Sequence, residues 1–233
     1  SEENLRLKLG LDNKKPITFI FAHIIADAPH CSHFLLYKDY FVWLKETLKL
    51  CKELPDTYWL VKAHPAAKAY NEEGIVEKLV EDCGVDHIKV VPADFNTNSA
   101  FQYAQSLLTI NGTAGLEFAC FGVPVVLAGR PFYSGFGITH EPNSLAEYFD
   151  TLKNMNRISR LSPEQIRKAY LVLSAFRNYS ISNNIVLTSE LLMKVWGYKE
   201  RDIEFVWEQM ALNLAPIQPT DEPQYLRAKE ILG

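Results

Sequence analysis

The sequence predicts an α/β fold: a doubly wound, parallel, Rossmann-like sheet followed by a helical C-terminal region. Three observations carry that reading. Uninterrupted β-branched and aromatic runs, such as ITFIFAHII from Ile17 to Ile25, suit strands buried on both faces. Such runs alternate with amphipathic helical stretches at a spacing that implies βαβ units. Past Pro142 the strand pattern stops and only helical periodicity continues.

Taken in order, Asn4–Asp12 reads as a helical lead-in that stops at Gly10, and Pro16 opens the first strand. Residues 27–37, polar and His-rich, read as a loop. Tyr40–Leu54 carries Phe41, Leu44, Leu48 and Cys51 at helical spacing, with Lys and Glu on the opposite side. Thr57–Pro65 is a second strand ending at His-Pro. Asn71–Cys83 is a helix with Ile75, Leu79 and Val80 inward, ended by Gly84. Ile88–Pro92 is the third strand, and Asn98 or Ser99 caps a short helix reaching Gln105. Ser106–Ile110 is the fourth strand, NGTAGLEFACF a turn and helix, and Pro124–Gly129 the fifth strand. Helices follow over 145–155, 162–176, 185–195 and 203–214, the second opened by Ser162-Pro163-Glu164-Gln165. The tail is extended from Ala215 until a last helix over 224–232. This pattern sets a Rossmann-like domain at residues 1–155 and a helical extension packing on it at 156–233.

Composition excludes several classes. Apolar residues make up 48% of the 233, ample for a core, and 24 basic against 28 acidic side chains give a net charge of −4. Nothing there suggests a nucleic-acid binder, so a site for a phosphorylated ligand must be a local arrangement. The four cysteines form no C-x-x-C pair, which argues against a zinc or disulfide framework and for a reducing compartment. No apolar stretch approaches the roughly 20 residues of a membrane span.

The unusual motifs fall at the carboxyl ends of strands, where open parallel sheets bind ligands. In N-G-T-A-G-L-E, Gly112 permits a tight turn, Thr113 can cap the next helix, and that helix's first N–H groups favour a phosphate. The plainer reading is a strand–helix connection that needs glycines. His64, after a buried strand and stiffened by Pro65, can donate to a phosphate oxygen; read alone it is more simply a surface or capping histidine. Lys62 lines the strand end. Glu117, one turn into the helix, can accept from ribose hydroxyls or simply favour the helix N-terminus. His23, His30 and His33 with Asp27 invite a metal reading, but the spacing fits no compact zinc pattern, and no bound metal is expected. Gly129–Glu141, dense in glycine and aromatics, frames a ligand or forms an ordered surface loop with buried rings.

The segments VKAHP, NGTAGLEFACFGVPVV and GRPFYSGFGIT together resemble the bacterial capsule polysaccharide synthesis family, which includes Kdo transferases. The resemblance covers roughly residues 5–140 and implies the C-terminal half of a GT-B glycosyltransferase. In similar CMP-sugar transferases the His-Pro motif and the glycine turn meet the nucleotide phosphate. That implies phosphate or nucleotide contacts from His64, Pro65, Asn111, Gly112 and Thr113, and one from Glu117. It implies a donor-sugar loop with Arg130, Phe132, Tyr133, Gly135 and Thr139, and chemistry independent of a bound metal or other cofactor. The implied activity is sugar transfer in capsule or surface polysaccharide synthesis, from CMP-Kdo or a related donor, to a growing polysaccharide or glycolipid. The implied setting is cytoplasmic, peripheral at the inner face of the membrane. Only one Rossmann-like half is legible, and the first residue is Ser. The acceptor side and catalytic base are therefore expected from an N-terminal half or another capsule-assembly protein, and the chain is expected to bind a nucleotide sugar better than it turns one over. Two other readings remain open: a sugar-nucleotide epimerase of GT-B fold, and a non-catalytic glycan-binding or assembly module.

Overall fold

The computed structural model describes residues 1–12, 15–27, 34–92, 94–180, 203–216 and 218. It divides into two compact units, Ser1–Leu173 and Ser174–Gly233. Residues 156–173, grouped by sequence with the helical extension, include Leu161 and Ala169, which are buried in the core of the first unit.

The first unit carries the sheet. Its strands are β1 (Ile17–Phe21), β2 (Tyr58–Lys62), β3 (Ile88–Val90), β4 (Ser106–Thr109) and β5 (Val125–Leu127). Every pairing is parallel, in the order β3-β2-β1-β4-β5. Alternation along the strands divides the core in two. Phe19, Leu60, Leu107 and Val125 face one layer, with side chains from α1 (Glu2–Leu9), α4 (Thr97–Ala100) and α5 (Ala114–Cys120). Ile20, Val61, Leu108 and Val126 face the other, against α2 (Tyr40–Lys52), α3 (Ile75–Glu81) and α6 (Leu145–Lys153). Burial on both faces is why the strands read as unbroken apolar runs.

Capping explains most helix boundaries. Asp39 starts α2 by accepting the Val42 N–H at 2.7 Å. At α7 (Pro163–Ser180), Ser162 and Gln165 exchange bonds of 3.0 and 3.3 Å, a reciprocal capping box. Gly10 closes α1 at φ 66°. Several sequence expectations shift. The cap of α4 is Asn96, whose side chain accepts from Asn98 N–H at 3.0 Å, rather than Asn98 or Ser99. Helix α3 begins at Ile75 because Asn71 (φ 57°) and Gly74 (φ 82°) break the turn before it, and Val76 is its buried residue. On α2 the inward residues include Tyr40 and Trp43 rather than Phe41. Strand β1 stops at Phe21, not Ile25. Beyond it the Ile25 and Ala26 amides turn out of the sheet to the Glu72 carboxylate, each at 2.8 Å.

The second unit is described over the end of α7 and the helix α8 (Ile203–Leu214). Helices expected over 185–195 and 224–232 lie outside the described residues.

Between β1 and β4, Thr18 and Ser106 share a fully buried hydroxyl–hydroxyl bond of 2.8 Å. Ser106→Ala leaves Thr18 without its partner and is expected to cost about 1–3 kcal/mol in urea denaturation. Thr18→Val combined with Ser106→Ala recovers most of that loss. A double variant no more stable than the single one would show that packing, not the orphaned hydroxyl, sets the cost.

Candidate functional site

The strand order reverses between β1 and β4, the place where an open parallel sheet leaves a crevice at its carboxyl ends. A cleft of about 370 Å³ occupies it. All six residues read from sequence as nucleotide-binding line it: His64, Pro65, Asn111, Gly112, Thr113 and Glu117. They come from two separate strand ends, and only the topology brings them together.

His64 follows β2 at the exposed lip of the cleft. Its Nδ1 accepts the Ala66 N–H at 3.1 Å, so the proton of the neutral ring sits on Nε2. Partial desolvation lowers its pKa from 6.5, and the nearby His23 and Lys62 push the same way, against Asp27 and Glu72. At neutral pH the ring is thus an uncharged Nε2–H donor. Lys62, read from sequence only as lining the strand end, also lines the cleft; burial lowers its pKa, and its ammonium lies 5.6 Å over the Phe21 ring.

Across the cleft, the turn after β4 leads into α5. Thr113 takes the cap position with helical backbone (φ −60°, ψ −24°), and its side chain makes no capping bond, contrary to the sequence expectation. The N–H groups that open a helix have no intrahelical acceptor. The helical bonding here starts only at Gly115, on the Gly112 carbonyl at 3.1 Å. Asn111 donates to the Tyr40 hydroxyl at 3.3 Å, which ties the turn to α2.

Several lining residues had no place in the nucleotide reading. His23 and Asp27 were weighed only as metal ligands. The His23 ring stacks 6.1 Å from His64 and lies 4.3 Å from the Tyr40 ring. Thr97 and Asn98 reach the cleft from α4; no local motif marks them. His30 and His33 lie outside the described residues, and among the described residues no group of three or more His, Cys, Asp or Glu can hold a metal ion. A second cavity, of about 410 Å³, shares Lys62 and the His64-Pro65 turn and is lined as well by Lys68, Glu72, Glu73 and Glu77.

The loop after β5 is arranged differently. None of Arg130, Phe132, Tyr133, Gly135 and Thr139 lines the cleft. Arg130 donates to the carbonyls of Glu141 and Pro142 at 3.1 and 2.8 Å and to Asn143 at 2.9 Å. Gly135 N–H and the Thr139 hydroxyl donate to the Glu141 carboxylate at 2.9 and 2.7 Å. Phe132 is exposed, whereas Tyr133 is fully buried with its hydroxyl on the Gly112 carbonyl.

Residues 44–174 match the model of a family described as capsule polysaccharide biosynthesis protein. The chain belongs to that family. The matched segment starts inside α2 and includes His64, the Asn111–Glu117 turn and the Arg130–Glu141 loop, so it extends beyond residue 140 and omits β1. No curated protein matches the chain. Solved structures similar to it include KpsC of Thermosulfurimonas dismutans, a beta Kdo 2,7 transferase. That likeness has 17% identity and a TM-score of 0.44, over 72% of this chain and 51% of KpsC. UDP-GlcNAc 2-epimerase from Neisseria meningitidis, bound to UDP-GlcNAc, aligns at 9% identity and TM-score 0.49, over 76% of this chain and 48% of its own. The wall teichoic acid polymerase TagF aligns at 12% and 0.48, over 91% and 48%. The chain spans about half the length of these structures. Among the described residues no helix is long and apolar enough to cross a membrane.

Proposed function

We propose that this chain supplies the donor-binding half of a glycosyltransferase in capsule or surface polysaccharide synthesis, and that its donor is CMP-Kdo or a related nucleotide sugar. The observation that carries the reading is the switch-point cleft, which His64, its Nε2–H left as a donor, and the Gly112–Ala114 turn at the start of α5 line together. Membership in the capsule family supports the pathway. A phosphate held there meets a neutral imidazole, backbone N–H groups and the Lys62 ammonium, while Glu117 is available to ribose hydroxyls. That set neutralises a departing nucleotide phosphate without a metal ion. The growing polysaccharide or glycolipid, and the group that activates its hydroxyl, belong to a second Rossmann-like half or a partner capsule-assembly protein. A nucleotide-sugar donor places the work in the cytoplasm, at the inner face of the membrane.

Amide spectra recorded during titration with CMP, UDP and GDP test the reading. The resonances of His64, Gly112 and Thr113 are expected to shift with one nucleotide in preference to the other two. A spectrum unmoved at all three residues by all three ligands overturns it.

A further inference from the structure

The loop Arg130–Glu141 has the composition of a ligand frame, yet its side chains turn away from the cleft. We propose that it acts through Tyr133, a positioning residue whose hydroxyl sets the Gly112–Thr113 peptide so that the Thr113 N–H faces an anionic oxygen in the cleft. The inference rests on the nucleotide-sugar reading of that cleft.

The geometry is that of a single peptide unit. Tyr133 is wholly buried in the core beneath the turn, and its hydroxyl donates to the Gly112 carbonyl at 2.5 Å. The Gly115 N–H donates to the same oxygen at 3.1 Å. In a planar trans peptide the C=O and the following N–H point in opposite directions. Anchoring the Gly112 oxygen to the buried phenol therefore turns the Thr113 N–H away from the core. On that side Gly112 and Thr113 border the cleft. Two donors on one carbonyl also polarise the peptide and strengthen its N–H as a donor.

The surrounding residues fit this role. A side chain at Gly115 would run into the Tyr133 hydroxyl, so the second glycine of N-G-T-A-G leaves room for the phenol. A Cβ at Gly112 would stand 2.9 Å from Thr109 Oγ1. Burial raises the Tyr133 pKa far above its ordinary value, so the phenol stays a donor at any working pH. The loop that carries it is braced at both ends. Glu141 ties Gly135 to Thr139, and Arg130 holds the carbonyls of Glu141 and Pro142.

Tyr133→Phe removes only the hydroxyl. CMP and UDP, compared with cytidine and uridine, separate a phosphate effect from general loosening. The variant is expected to bind the preferred nucleotide about tenfold more weakly, the scale of one strong hydrogen bond. Binding of the matching nucleoside stays unchanged, and the Thr113 amide no longer shifts with nucleotide. Wild-type affinity in the variant, or equal weakening of nucleotide and nucleoside, overturns the proposal. Should the wild-type chain bind no nucleotide, the functional reading fails by itself. The free proteins then decide the role of Tyr133: an unchanged Thr113 resonance and hydrogen-exchange rate in Tyr133→Phe rejects it, and altered ones retain it. If Tyr133→Phe does not fold, Gly115→Ala, which crowds the same hydroxyl, is expected to give the same nucleotide-selective loss, and its absence overturns the proposal.

Discussion

His64→Ala is expected to weaken nucleotide binding about ten- to hundredfold at pH 7.5 while leaving the fold nearly as stable as before. A hydrogen bond to a charged group contributes about 1.5–3 kcal/mol, and each 1.4 kcal/mol is tenfold in affinity. His64 is exposed at the cleft lip, and the one described hydrogen bond of its side chain is the local contact with the Ala66 amide. Losing that contact on the surface costs about 0.5 kcal/mol or less. Calorimetric titration beside a thermal melt separates the two effects. Wild-type affinity in the variant would remove His64 from the site, and a large drop in melting temperature would recast it as structural. The pH dependence has a definite sign. The folded imidazole has a pKa below 6.5, so in acid the unfolded chain takes up a proton first. The stability linked to this group is complete above about pH 6.5 and is lost as pH falls from there through the folded pKa. His64→Ala removes that part of the acid sensitivity.

The sheet was legible because β1, β2, β4 and β5 are buried along nearly their whole length and read as largely apolar runs, and the breaks between strands fall at glycine and proline. The strand ends were less so. Nothing in ITFIFAHII marks Phe21 as the last paired residue. The signal is Glu72, which lies far along the chain and takes the Ile25 and Ala26 amides. Local sequence cannot report a cap supplied by tertiary contact. The site shows the same division. His64 and the Asn111–Glu117 turn were identifiable as motifs at strand ends, and the strand order placed them on one cleft. Thr97 and Asn98 reach it from α4, which borders the same cleft as Phe21 at the end of β1, and no residue type announces that. Tyr133 shows the converse. Glycines and aromatics without period look like a ligand frame, but which ring turns into the core depends on the space that Gly115 leaves beneath α5. Burial among residues distant in sequence decided the outcome at each of these positions.

Trp43→Ala is expected to have the largest effect on stability, about 3–5 kcal/mol, the range for removing a large aromatic from a packed core. For a chain of this size that corresponds to a fall in melting temperature of roughly 6–20 °C. Trp43 is fully buried on α2, and its indole N–H donates to the Tyr148 hydroxyl of α6 at 3.0 Å. The Thr47 hydroxyl meets the same oxygen at 3.0 Å, so one phenol joins two residues of α2 to α6. Tyr148→Phe separates bonding from volume. It keeps the ring but orphans the Trp43 N–H and takes a hydroxyl partner from Thr47, and is expected to cost about 1–3 kcal/mol, less than the cavity left by Trp43→Ala. The consequence reaches the cleft through Tyr40, one turn earlier on α2. Its ring packs 4.3 Å from His23, and its hydroxyl accepts from Asn111. Loosening α2 should therefore move the Asn111 and His23 resonances even at temperatures where Trp43→Ala is fully folded. Far-UV circular dichroism melts and amide spectra at 15–20 °C below the midpoint check both statements. A melting temperature within about 2 °C of wild type would mean that α2 and α6 are held by the sheet alone. Unchanged Asn111 and His23 signals in a destabilised variant would mean that Tyr40 is fixed from the cleft side, by His23 and Asn111, and not by the packing of its own helix.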